Sequence, residues 1–139
     1  MTNTVLIVED NALNMKLFTD LLQARGYRVL QDPTGEEALA IAHEYRPDLV
    51  LMDMQLPGIS GIELTLQLKR DPELHAIPVV AITASVLRED EQRFREAGAG
   101  GFISKPIAVS EFLLTIAGCL QRSSCSQASP HPASAQVKP

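Results

Sequence analysis

The sequence predicts a doubly wound α/β domain, a five-stranded parallel sheet with helices on both faces. Three observations carry that prediction. Short apolar runs recur along the chain, and between them apolar residues return at helical spacing. The runs Leu49-Val50-Leu51-Met52 and Val79-Val80-Ala81-Ile82 are continuous rather than alternating, as in strands buried on both faces. Proline and glycine punctuate the runs, and the strand–helix alternation implies right-handed crossovers. Leu49 to Met52 alone could also be a piece of core helix. Pro47 before it, and Pro57, Gly58, Ser60 and Gly61 after it, favour a strand ending at Asp53.

In chain order, Val5 to Val8 reads as the first buried strand, ending at Glu9-Asp10. Asn11 can cap the helix that follows, where Leu13, Leu17 and Leu21 recur with Phe18 and Leu22 until Gly26 supplies a stop. Tyr27 to Gln31 is the second strand. Thr34 with Glu37 makes a capping box for a helix that turns Ala38, Ile41 and Ala42 inward. Ser60 with Glu63 makes another, leading into Ile62 to Leu68. Asp71 to Pro78 is a loop, and Val79 to Ile82 is a strand ending at Thr83-Ala84-Ser85. A charged helix over Arg88 to Glu96 has Leu87, Phe94 and Ala97 as its inner face. Gly101 to Ser104 is the fifth strand, ending at Lys105-Pro106, and Ser110 opens a last helix with Phe112, Leu113, Ile116 and Leu120. From Arg122 the composition turns to Ser, Ala, Pro and Gln without apolar periodicity. Residues 1–121 are therefore read as the domain and 122–139 as a disordered tail.

A chain of 139 residues can bury a real core, and a formal net charge of -5 argues against nucleic-acid binding, which selects a basic face. Lys69-Arg70 reads as an ordinary solvated helix end. The opening apolar run, roughly five residues, is too short for a signal-peptide core or a membrane span. Cys119 and Cys125 follow no metal-binding spacing, so the expectation is a cytoplasmic protein with free thiols, Cys119 being a small helix-face residue. His43, His75 and His131 read as solvent-facing.

In an open parallel sheet, chemistry sits beyond the carboxyl ends of the strands. Those ends deliver Glu9 and Asp10, then Asp53, Thr83 and Lys105 to one edge. Each alone has a bland explanation: a helix-start charge, a strand-end cap, a surface lysine. Together they do not, because three carboxylates in one crevice repel strongly unless a cation offsets them. Magnesium, with its preference for carboxylate oxygens, a carbonyl and waters, suits such a set. A lysine and a threonine hydroxyl beside it point to phosphoryl transfer, with an aspartate as the nucleophile.

From about Thr4 to Gln121 the chain resembles the receiver domains of bacterial two-component response regulators. The matching pieces are VLIVEDN, DLVLMDMQLPGISG, VVAITAS and FISKP, in that order and at family spacing. Within the family, Asn11-Ala12-Leu13-Asn14-Met15-Lys16 and the SKPI sequence look like single-domain regulators of polar differentiation and cell division. The resemblance implies a flavodoxin-like fold with Asp53 as phosphoacceptor. Asp10 would be a direct Mg2+ ligand, Glu9 would act through water, and Gln55 would offer its backbone carbonyl. Thr83 would be the switch hydroxyl, Lys105 the ammonium that pairs with the phosphoryl group, and Phe102 the aromatic that follows the switch. Pro106 would be a cis-proline. Two departures stand out: Glu9 where many members have Asp, and Phe102 where tyrosine is commoner. Gln55 and Ser85 would line the path of attacking water.

The expected function is acceptance of a phosphoryl group from a sensor histidine kinase or a histidine phosphotransfer protein, in a cell-division phosphorelay. The chain would catalyse only its own phosphorylation and dephosphorylation. No room remains after about Gln121 for an output domain, so signalling is expected through downstream protein regulators. Their face would be the Arg88–Ala97 helix, the Phe102 strand and the last helix. The exposed side of the first helix, near Asn11, Asn14 and Met15, would dock the kinase. A relay that passes the phosphoryl group onward needs the same residues and stays open as an alternative. A haloacid-dehalogenase-like phosphatase wants a second acid two residues after the nucleophile, where this chain has Gln55. A flavin phosphate would be repelled by Glu9-Asp10, and no P-loop pattern is present.

Overall fold

The computed structural model describes residues 3–56, 60–84 and 87–128, with side chains described as far as Gln121. Five parallel strands form one sheet in the order β2-β1-β3-β4-β5, namely β2 Arg28–Asp32, β1 Thr4–Val8, β3 Leu49–Asp53, β4 Val79–Thr83 and β5 Gly101–Ser104. The crossovers carry α1 Ala12–Ala24, α2 Ala38–Tyr45, α3 Gly61–Arg70 and α4 Arg88–Ala97, and α5 Val109–Ala128 closes the fold. The strand order reverses beside β1 and β3, so a crevice opens at their carboxyl ends.

Every residue of β3 and β4 is buried, which is why these runs are apolar without alternation. Their side chains feed two cores. Val5, Ile7, Leu49, Leu51, Val80 and Ile82 pack against α1 and α5, where the Phe18 and Phe112 rings stack 5.3 Å apart. Leu6, Val8, Val50, Met52, Val79 and Ala81 pack against α2, α3 and α4.

Local signals set most element ends. Asn11 caps α1, its side chain accepting from the Asn14 amide at 3.0 Å, and Ser60 caps α3 by accepting from Ile62 at 3.1 Å. Gly26 ends α1 at φ 87°, in the left-handed region that glycine enters without steric cost.

Several expectations are corrected. Thr34 does not cap α2. The cap position is Glu37, without a side-chain bond, because the buried Asp32 carboxylate takes the amides of Thr34, Gly35 and Glu37 instead. On α1 the inward residues are Met15, Phe18 and Leu22, while Leu13 is 80% exposed and Leu17 is exposed as well. The Leu13-Leu17-Leu21 row drifts around the helix, because a step of four residues overshoots one turn. Leu87 is exposed at the cap of α4 rather than on its inner face. Lys69 is not a solvated helix end: its ammonium donates to the carbonyls of His75 and Ile77 at 3.1 and 2.8 Å, and burial holds its pKa below the ordinary lysine value. The α5 backbone stays helical to Ala128, past the point where the sequence suggests a tail. Extending a helix already nucleated on a core costs little even for Ser and Gln. Cys119 is buried, as a small helix-face residue. His43 and His75 are exposed, but His43 bridges Asp71 at 2.7 Å and Glu73 at 3.2 Å. His131, Cys125, Pro57, Gly58 and Ser85 lie outside the described residues or side chains.

Candidate active site

β1 and β3 end side by side, with Val8 in register with Met52, so Glu9 and Asp53 emerge next to one another. Their ligand oxygens and one of Asp10 lie within 4.8 Å of each other. Asp53 is only 1% exposed and Glu9 is fully buried, whereas Asp10 faces solvent.

Each oxygen of Asp53 has a different neighbour. Oδ1 accepts from the Gln55 amide at 2.9 Å, and Oδ2 lies 3.4 Å from Lys105 Nζ. The same ammonium lies 3.5 Å from Glu9 Oε1 and so bridges the two buried carboxylates. The Lys105 amide donates to the Thr83 carbonyl at 2.9 Å, which anchors the residue at the end of β4. The Lys105–Pro106 peptide is cis, as the resemblance implies. Thr83 ends β4 in register with Ser104 and is buried, on the strand next to Asp53. The Gln55 side chain crosses to β4, where its Oε1 accepts from the Ala84 amide at 3.3 Å.

The negative charge here is under-compensated. Glu9 Oε2 accepts from the Asn11 amide at 3.1 Å, but Oε1 has no hydrogen-bond partner among the described residues. Burial, then the contact with Asp53, pushes the Glu9 carboxyl up from 4.5 to about 7, against the pull of the Asn11 amide and Lys105. A buried carboxylate oxygen with no hydrogen bond among the described residues and only an ammonium 3.5 Å away, with two more carboxylates within reach, fits a hard divalent cation.

One close approach was not read from the sequence. A Cβ on Gly61 would stand 2.5 Å from the Asp53 carbonyl and 2.7 Å from Met54 Cα, so the start of α3 is pressed against the backbone of Asp53 and Met54. The signal was available in the last glycine of the PGISG turn. The docking group is only partly assembled. Asn11 is exposed and Asn14 partly so, but Met15 is 8% exposed. Met15 belongs to the α1 core and lines, with Glu9, Asp10, Lys16, Asp20 and Pro33, a cleft of about 440 Å³ beside the acidic edge. Leu13 is the outward apolar residue in its place. Phe102 lies apart from the crevice, packed on the α4 side of the sheet.

Comparison with known proteins agrees with this fold. The polar-differentiation response regulator DivK of Brucella abortus (strain 2308) is 54% identical over 116 residues, 84% of this chain and 94% of DivK. Chemotaxis protein CheY4 of Vibrio cholerae superposes with a TM-score of 0.81 at 27% identity, covering 86% of this chain and 99% of that one. The receiver domain of the Pseudomonas aeruginosa sensor histidine kinase PA1611, solved with a magnesium ion in its active-site cleft, gives 0.76 at 30% identity over 88% of this chain and 97% of its own. The response regulator receiver domain model matches residues 5–117, and the chain belongs to that family.

Proposed function

We propose that Asp53 takes a phosphoryl group from a phosphohistidine on a kinase or phosphotransfer protein, and that the phosphorylated chain signals through altered protein contacts. The observation that carries this reading is the Asp53 carboxylate. It is buried, yet held by one amide and one distant ammonium beside two further acids. A carboxylate oxygen attacks phosphorus, an O–P bond forms, and the P–N bond breaks as the donor imidazole leaves with a proton.

Asp10, Asp53 and the Gln55 backbone carbonyl would hold Mg2+, with Glu9 acting through water. The orphaned Glu9 oxygen and the magnesium-bearing relative support that assignment. When bound, the metal supplies positive charge to the phosphoryl oxygens. Lys105 supplies a further cation at Asp53, and the Thr83 hydroxyl, one strand away, can turn to an oxygen of the bound group. Thr83 and Phe102 then act as the switch toward the face formed by α4, β5 and α5. Asn11, Asn14 and the cleft floored by Met15 receive the donor. By likeness to DivK the relay serves polar differentiation. No helix among the described residues is long and apolar enough to cross a membrane.

Incubation with acetyl phosphate and magnesium, followed by intact mass measurement, tests the reading. The expected result is one added phosphoryl mass in wild type and none in Asp53→Asn, with both folded. Equal uptake by the variant would sink it.

A further inference from the structure

The chemistry at the acidic edge leaves the surroundings of Phe102 unused. The ring packs from outside on the α3/α4 core and stays partly exposed. Its centroid lies 6.5 Å from that of Phe94, at an interplanar angle of 31°. Arg95 Cζ stands 4.8 Å over the same ring. Phe94 and Arg95 are consecutive on α4, so one turn of that helix gives the ring an apolar wall and a cation. The strand register pairs Ala81 with Phe102 and Thr83 with Ser104. Because side chains alternate along a strand, Phe102 and Thr83 share one face of the sheet as diagonal neighbours.

A guanidinium over an aromatic face is held by the ring quadrupole. Phenylalanine has no hydroxyl with which to fix its orientation, so the contacts with Phe94 and Arg95 matter more here than they would for tyrosine. One turn earlier, Glu91 Oε1 lies 3.4 Å from Arg95 Nη2, an exposed and long ion pair that draws on the same guanidinium.

Resting on the reading of Phe102 as the aromatic that follows Thr83, we infer that Arg95 is a positioning residue whose guanidinium latches the Phe102 ring in its resting orientation. A turn of the ring toward Thr83 requires it to leave Arg95, and Glu91 sets how firmly Arg95 holds. The occupancy at which Asp53 moves the output face is then tuned from α4, by residues that touch neither metal nor phosphoryl group.

Titration of the full chain with beryllofluoride and Mg2+, a non-covalent phosphoryl mimic, tests this. Phe102 ring signals and the Thr83 amide are followed by NMR. Arg95→Gln is expected to lower the half-maximal beryllofluoride concentration about two- to five-fold, the population ratio one exposed cation–π contact supports. Its resting Phe102 signals should move toward their bound positions, and Glu91→Gln should shift the midpoint the other way. In a Phe102→Leu background, Arg95→Gln should leave the midpoint at the Thr83 amide unchanged. An unchanged midpoint in Arg95→Gln alone, or equal shifts in both backgrounds, overturns the latch. Wild-type binding without movement of the Phe102 ring sinks the switch reading and the latch with it. No binding at all sinks the Asp53 reading itself.

Discussion

Asp32 and Asp53 make an instructive pair. Each is the last residue of its strand, each is almost wholly buried, and each is followed closely by proline and glycine. The Asp32 carboxylate is saturated by its own turn: Oδ1 accepts from the Thr34 amide and hydroxyl and the Gly35 amide, and Oδ2 from the Glu37 amide, all at 3.1 Å. Asp53 has one amide and an ammonium at 3.4 Å, beside Glu9 and Asp10. The same burial therefore has opposite meanings. A carboxylate with both oxygens engaged by its own turn is a structural joint, while one with few donors among the described residues, set among like charges, suits the cation and bond-forming partner proposed above.

The contrast can be broken in four ways, taken from the largest expected effect downward. Asp32→Ala strands several buried amides and should cost about 3 kcal/mol in urea unfolding, with phosphoryl uptake per folded molecule unchanged. A neutral outcome would remove Asp32 as a structural joint. Glu9 comes next. Its raised pKa means the fold retains a proton that the unfolded chain gives up above 4.5. Stability of metal-free protein should thus fall as pH rises from 4.5 to about 7 and level off above. Glu9→Gln should lack this fall, ending more stable than wild type at pH 8 by on the order of 2 kcal/mol in melts with chelator. Parallel pH curves for the two proteins would contradict it. Lys105→Ala leaves the buried carboxylates without their shared cation. It should destabilise by about 1 kcal/mol and slow uptake from acetyl phosphate about tenfold or more. Asp53→Asn, smallest in stability, should be neutral or stabilising by less than about 1 kcal/mol, since it removes a like charge from the cluster.

The comparison also shows how far the sequence could be read. All five strands, the Asn11 and Ser60 caps and the converging acids and lysine were legible, because apolar runs and capping residues act locally. The Asp32–Asp53 distinction was not legible from either stretch alone. The second strand reads as ending at Gln31, with Asp32 outside it, and the sequence pattern assigns the turn that follows to a Thr34 cap. Which carboxylate is saturated depends on backbone amides folding back on it, and turn composition permits this without specifying it. Met15 and Leu13 were exchanged for a similar reason. Both α1 stripes are apolar, and only the sheet beneath decides which one faces in. Lys69 was missed because its partners are carbonyls, which every residue carries.

The stacked rings of Phe18 and Phe112 carry a consequence for how the chain is made. Phe112, Ile116, Cys119 and Leu120, all from the last helix, share one core with Phe18 and Leu22 of α1. On the ribosome, a nascent chain that has already paired its early strands still exposes Phe18 and Leu22 until that helix emerges. For that interval the nascent chain exposes apolar surface of the kind that chaperones cover, so a chain lacking α5 is expected to be aggregation-prone.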